Sequence, residues 1–182
     1  MHFSFHINLN DWDYLDYNTF WAIRSPYGKK QMMSLRILIA VLFACVAFLS
    51  VLWADFAPDS WISLVIYGVL LVLFEVFLNP FFSWILKNNI KAMKSSGKMG
   101  YSPVSDMEFH DEYFTEMTPE NKVEQKYSVI ERISVIGEKY IYIHVNNIMS
   151  YIIPSTAFES REQYNAFLIF LKTKCSVIDY YN

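Results

Sequence analysis

Leu35 to Trp53 reads LRILIAVLFACVAFLSVLW, and Trp61 to Leu86 reads WISLVIYGVLLVLFEVFLNPFFSWIL. At about 1.5 Å per helical residue, the first run covers most of a hydrocarbon core about 30 Å thick. The second is longer. Between Leu35 and Leu86 the charged residues are Arg36, Asp55, Asp59 and Glu75, whereas the last 85 residues are dense in charge. A soluble domain intersperses polar residues throughout, because it must coat its surface. This block pattern predicts two membrane spans, about 35–53 and 61–82, inside a segment 34–94. The seven residues between them, ADFAPDS, leave room only for a tight connection, flanked by Trp53 and Trp61 as interface-seeking indoles would be. A cleaved signal would be shorter and would begin sooner after a compact basic segment.

Basic residues set the expected orientation. Arg24, Lys29, Lys30 and Arg36 precede or open the first span, and Lys87, Lys91, Lys94 and Lys98 follow the second. These are eight of the fifteen Lys and Arg residues, while the connection carries Asp55 and Asp59. The positive-inside bias predicts cytoplasmic termini, an external turn and a basic membrane-facing surface.

Glu75 is the intramembrane polar candidate, because a carboxylate inside a span is costly and functional by default. Its partner would sit on the other helix, but the first span is read as offering no base, only Cys45 and Ser50. The alternative is a protonated Glu75, or one close to the inner interface. Asn79-Pro80 favours the interface, since proline disfavours helix at the residue before it. The span would then end near Asn79, with PFFSWILKNNIKAMK continuing as an interfacial helix.

Beyond the linker SSGKMGYSPVS the period changes. Met107 and Phe109, then Phe114 to Met117, predict a hairpin around His110-Asp111-Glu112. Val123 to Val135 predicts one long or bent strand. Lys139 to Val145 alternates Ile141, Ile143 and Val145 against Tyr140, Tyr142 and His144. Asn146-Asn147 is a turn leading to a strand from Met149 to Ile153. Ser160 and Gln163 fit a capping box, and Tyr164, Phe167, Leu168 and Leu171 mark one face of a helix ending near Lys172 or Lys174. An antiparallel meander capped by a C-terminal helix is the shape of a small PH-like β-domain, here residues 95–182. Residues 1–33 read as a strand, Phe3, Phe5, Ile7 and Leu9 alternating with polar residues, then a helix capped by Asn10 or Asp11. With both ends cytoplasmic, that strand can join the C-terminal sheet.

The chain resembles the YcxB-like bacterial membrane proteins. The resemblance lies in FSFHINLNDWDYLDYNTFWAIRSPYGKKQ, GKM with MEFHDEYF, KYSVIERISVIGEKYIYIHV, and IIPSTAF before the last helix. It implies an α+β membrane protein, a transmembrane helical hairpin with a PH-like cytoplasmic domain, and no particular chemistry.

The chemistry-bearing residues exclude more than they suggest. His2, His6, His110 and His144 have no metal-ligand spacing, and Cys45 and Cys175 form no paired motif. No Ser-His-Asp order, GxSxG, phosphate loop or HExxH occurs, so neither enzyme nor cofactor is expected. From Gly97 onward there are 8 Lys or Arg against 12 Asp or Glu, which argues against a lipid-headgroup pocket and against nucleic acid. Tyr140, Tyr142 and Tyr151 remain, as an exposed interaction surface or as an aromatic ladder stabilising the sheet. The expected role is therefore a non-enzymatic protein of the bacterial cytoplasmic membrane, in contact with bilayer lipid, whose cytoplasmic domain binds a protein partner or a second copy. The alternatives are an oligomeric transport element using Glu75 and a lipid-headgroup module.

Overall fold

A computed structural model describes residues 2–182 apart from 55, 56, 58, 59, 98–100, 147 and 148. Lys98, Asn147 and the acidic pair Asp55 and Asp59 lie outside the described residues. The chain divides into two compact units, residues 1–17 with 93–182, and residues 18–92.

In the first unit, β1 (Phe3–Asn8) alternates buried and exposed residues along its whole length. Phe3, Phe5 and Ile7 face the core, as the period-two pattern requires. β1 pairs antiparallel with β2 (Val104–Phe109), Phe5 opposite Met107. β3 (Tyr113–Met117) and β4 (Lys122–Lys126) complete this sheet, in the order β1-β2-β3-β4. The second sheet holds β5 (Arg132–Ile136), β6 (Tyr140–His144), β7 (Ser150–Pro154) and β8 (Ile178–Tyr181), in the order β7-β6-β5-β8. Gly137, at φ 52°, makes the left-handed turn between β5 and β6.

One core serves both sheets. Phe5 and Phe109 from the first meet Ile133, Ile141 and Ile153 from the second. α4 (Arg161–Lys174) adds Phe167, Phe170 and Leu171. The Phe167 ring lies 4.8 Å from both the Phe5 and Phe109 rings, edge-on to each. Burying a phenylalanine this completely stabilises by about 1.5–3 kcal/mol. The Ser160 hydroxyl accepts from the Gln163 amide at 3.2 Å, while the Gln163 side chain accepts from the Glu159 amide at 2.7 Å. This is the expected cap, displaced by one residue on its return arm.

Two strand expectations change. Val123 to Val135 is not one strand: β4 ends in a 3₁₀ turn at Tyr127–Val129, and β5 begins in the other sheet. Tyr127 makes the break by turning into the core, its hydroxyl donating to the His110 carbonyl at 2.7 Å. β8 was not foreseen at all. It pairs parallel with β5, and α4 supplies the crossover that a parallel strand needs.

A larger correction concerns the tyrosines. Tyr140, Tyr142 and Tyr151 are 2%, 0% and 4% exposed, so they form no accessible surface. Both faces of β6 are covered, one by the core and the other by α1 (Asp11–Thr19). Asn10 caps α1, its side chain accepting from the Trp12 and Asp13 amides at 2.8 and 3.1 Å.

In the second unit, a π-helical turn (Phe20–Arg24) leads into α2 (Pro26–Trp53), capped by the Ser25 hydroxyl accepting from the Gly28 amide at 2.9 Å. α3 spans Ser60–Ser95. Both are long and apolar enough to cross a membrane. Their apolar side chains, among them Leu38, Leu42, Val72 and Phe77, stand exposed, which a soluble core helix would not permit. The helix does not break at Asn79. α3 runs through Pro80 without interruption, and its 36 residues extend about 54 Å. Proline inside a long apolar helix is tolerated where neighbouring groups re-satisfy the freed backbone.

Candidate functional site

Two polar constellations stand out, one in each unit. Between α2 and α3, the Arg36 guanidinium lies 3.5 Å from the Glu75 carboxylate and donates to the Asn79 side chain at 3.2 Å. This corrects the expectation that the first span offers Glu75 no base: Arg36, at the edge of that span, is its partner. Counting along the hairpin reveals it. Arg36 stands 17 residues before Trp53 and Glu75 15 residues after Ser60, so both lie about 22–26 Å along their helices from the connection. The pair joins the two helices and neutralises the carboxylate.

The other constellation is a cleft of about 390 Å³ in the first unit. Inward-facing residues of β1, β2 and β3 form one wall, with Ile7, Ser105, Met107 and Glu116. Tyr151 and Met149 come from β7 and its approach, and Tyr14 and Tyr17 from α1. Tyr101 closes the group, its ring stacked on Tyr14 at 4.0 Å between centroids. The register explains the carboxylate: Glu116 lies opposite Met107, two residues from the fully buried Phe114, on the core side of the sheet. Burial pushes its carboxyl above the ordinary range, against a hydrogen bond with Ser105 that acts the other way. The Tyr151 hydroxyl is buried and has no hydrogen-bond partner among the described residues. Burial, helped by the Glu116 charge, pushes that phenol up to about 12.

A polar chain leaves this cleft. Tyr17 is hydrogen-bonded to Ser150, the Ser150 hydroxyl lies 2.7 Å from His144 Nδ1, and Nε2 lies 3.0 Å from the Ser134 hydroxyl. Desolvation, reinforced by the nearby Arg132 charge, pushes His144 down to about 4. Its imidazole is neutral at physiological pH, held between two serines.

Residues 109–171 match the family model described as YcxB-like protein. This segment is similar to the YcxB-like family. It begins at the last residue of β2 and ends within α4, so β1, α1, both apolar helices and β8 lie outside the match. Glu116, Met149 and Tyr151 fall inside it; Ile7, Tyr14, Tyr17 and Tyr101 are added by the rest of the chain. No curated protein and no solved structure matches the chain.

The sequence candidates are thus dispersed. Glu75 meets Arg36; Tyr151 lines the cleft of the first unit. Tyr140 lies under α1, donating to Asp13 at 2.8 Å and to Asp16 at 3.1 Å. Tyr142 is packed edge-on against Tyr17, with ring centroids 5.2 Å apart. Arg24, Lys29, Lys30, Lys87, Lys91 and Lys94 are exposed, and Lys94 pairs with Asp11 at 2.6 Å. Glu116 is the residue that sequence reasoning missed. Its signal is an acid in phase with Phe114 on a strand whose other inward positions are apolar. Among the described residues no group of His, Cys, Asp and Glu could hold a metal ion.

Proposed function

We propose that this protein is a non-enzymatic binding module anchored in the bacterial cytoplasmic membrane, its YcxB-like domain taking a small ligand at the inner surface. α2 and α3 serve as the two spans, with both termini cytoplasmic. The cleft carries the reading: it combines apolar walls, an inward carboxylate and an unpartnered buried hydroxyl, the features of a small-molecule site. Two packed four-stranded sheets closed by α4 support a PH-like description of the domain. A lipid-phosphate site is disfavoured because the cleft presents an acid and, among the described residues, no base. The Arg36–Glu75 pair favours a stapled hairpin over a polar transport path.

Topology and binding are tested together. With Cys45 and Cys175 replaced by serine, cysteine is placed at Ser4, Ala57 or Ser176 in turn. An impermeant maleimide should label only the Ala57 variant in intact cells. Native mass spectrometry of the full-length protein in mild detergent should show a bound small molecule that Ser102→Trp, at the cleft wall, displaces. Labelling at Ser4 or Ser176 overturns the orientation, and adduct-free protein overturns the ligand role. Protein association is the second reading. Ile169, Val177 and Tyr180 are exposed apolar side chains on or beside α4 and β8, open to a partner or a second copy.

A further inference from the structure

We infer that the cleft of the YcxB-like domain binds a small organic cation, an ammonium group with apolar substituents. The inference rests on the ligand role proposed above and adds its chemical class. Four tyrosines, Tyr14, Tyr17, Tyr101 and Tyr151, line a space whose only charged residue among the described ones is Glu116. Among the described residues no lysine, arginine or histidine lines it. Carbonate-like, phosphate or carboxylate ligands would meet Glu116 with no cation to offset it. A neutral ligand would leave the carboxylate desolvated and uncompensated, or force it to keep a proton. An ammonium answers both conditions, since it pairs with the carboxylate and is attracted to aromatic faces. The surroundings carry the same sign. Asp13 is 9% exposed near the Tyr101 side, and the nearby Lys94 is already paired with Asp11. Ile7, Leu9, Met107 and Met149 give the apolar substituents their contact, with Met107 only 1% exposed. Tyr151 is left with one free O–H donor, suited to a hydroxyl or carbonyl on the same ligand.

The cation can arrive free in solution or on a lipid headgroup. The probe pair is choline and its neutral carbon isostere 3,3-dimethylbutan-1-ol, which differ in one atom and one charge. Each is titrated against full-length protein in phosphatidylglycerol nanodiscs, with binding read by saturation-transfer NMR of the methyl protons. Choline should bind roughly tenfold more tightly than the isostere. Glu116→Gln, close in shape to the native residue, should reduce that preference to near unity. Choline affinity should also fall as the wild-type protein is acidified and Glu116 takes up its proton, while isostere affinity stays flat. This second measurement holds even if the variant folds poorly. Repeating the titration in discs containing phosphatidylcholine separates the sources: a headgroup ligand competes with free choline, and a soluble one does not. Equal affinities for the two probes overturn the cation assignment and leave the ligand role standing. Binding of neither probe overturns the cation assignment, and the bound species in native mass spectrometry then decides the ligand role separately.

Discussion

Acidification should loosen the β5–β7 sheet through His144, and the size of the effect follows from its surroundings. The side chain is 3% exposed on the α1-covered face of β6, between Ser134 on β5 and Ser150 on β7. The charged neighbour is Arg132 on β5, itself 3.2 Å from Asp179 on β8. Tyr142 packs edge-on to the imidazole at 6.4 Å. Desolvation by burial, with the Arg132 charge beside it, holds the group down at about 4. The unfolded chain binds its proton near pH 6.5, the folded chain only near 4. Stability is therefore complete above about 6.5 and drains away as pH falls between those values. The full loss is about 3 kcal/mol, of which about 2 kcal/mol is reached by pH 5.

Amide hydrogen exchange is the assay, read by mass spectrometry on peptides covering β6 in full-length protein in nanodiscs at pH 7.5 and pH 5. After correction for intrinsic exchange, wild-type protection should fall about 30-fold, the equivalent of about 2 kcal/mol. In His144→Asn the titrating group is gone, and protection should change little with pH, whatever its absolute level. Glu116 works in the opposite direction, because a carboxyl raised by burial is more comfortable at low pH. It is present in both proteins, so it cancels from the comparison. Equal pH dependence in the two proteins would refute this account of His144.

Phe5→Ala should cost about 3–5 kcal/mol, because the ring is 2% exposed and within 6 Å of Phe109, Phe158 and Phe167. A near-UV circular dichroism melt of the full-length protein reads it, and an unshifted midpoint would remove β1 from the core. Gly28→Ala should open the junction before α2, since a Cβ there would lie 2.2 Å from the Trp21 carbonyl oxygen and 2.5 Å from that of Ala22. Faster trypsin cleavage at Arg24 is the expected readout; unchanged cleavage would mean the turn accommodates the methyl freely. Arg36→Glu and Glu75→Arg should each weaken the hairpin by about 1–2 kcal/mol in a detergent-denaturation midpoint. The double exchange should recover most of that loss, and additive losses would deny that the two side chains act as a pair.

The hairpin was legible because its signal is compositional: two long apolar runs survive any error in register. β1, β6, β7 and α4 were legible because their apolar periods of 2 and 3.6 are unbroken. The failures share a cause in tertiary contact. Tyr127 is an ordinary strand residue by propensity, and only its place in the core and its bond to His110 break the strand. Val177 to Tyr181 carries little period, and β8 exists because α4 returns the chain beside β5. Pro80 is a helix terminator by local rule, but α3 continues through it. For the candidate site, Tyr151 was legible as a residue of interest, though not its burial. Glu116 was masked because it belongs to a short, acid-rich stretch that reads as a solvent-facing hairpin.

The two covered faces of β6 and β7 explain why abundant tyrosine was a misleading sign of a surface. Alternation along KYIYIHV separates Ile141 and Ile143 from Tyr140, Tyr142 and His144, and a one-sided sheet would expose the second group. α1 changes the outcome, because Asp13, Asp16 and Tyr17 recur at i, i+3 and i+4 and so share one helix face. Two carboxylates on that face accept from the Tyr140 hydroxyl, Lys139 pairs with Asp16 at 2.6 Å, and Tyr17 stacks edge-on against Tyr142. The Tyr140 phenol is thus satisfied from within the chain, which is the condition for burying it. Tyr151 points to the other face of its strand, toward Phe114 and the cleft, and no such carboxylate reaches it. The same helix that closes one tyrosine face also supplies Tyr14 and Tyr17 to the wall of the cleft. A ligand seated there would touch α1, Glu116 and the unpartnered Tyr151 hydroxyl together, which is why the cleft rather than the outer face of β6 is the place to look for function.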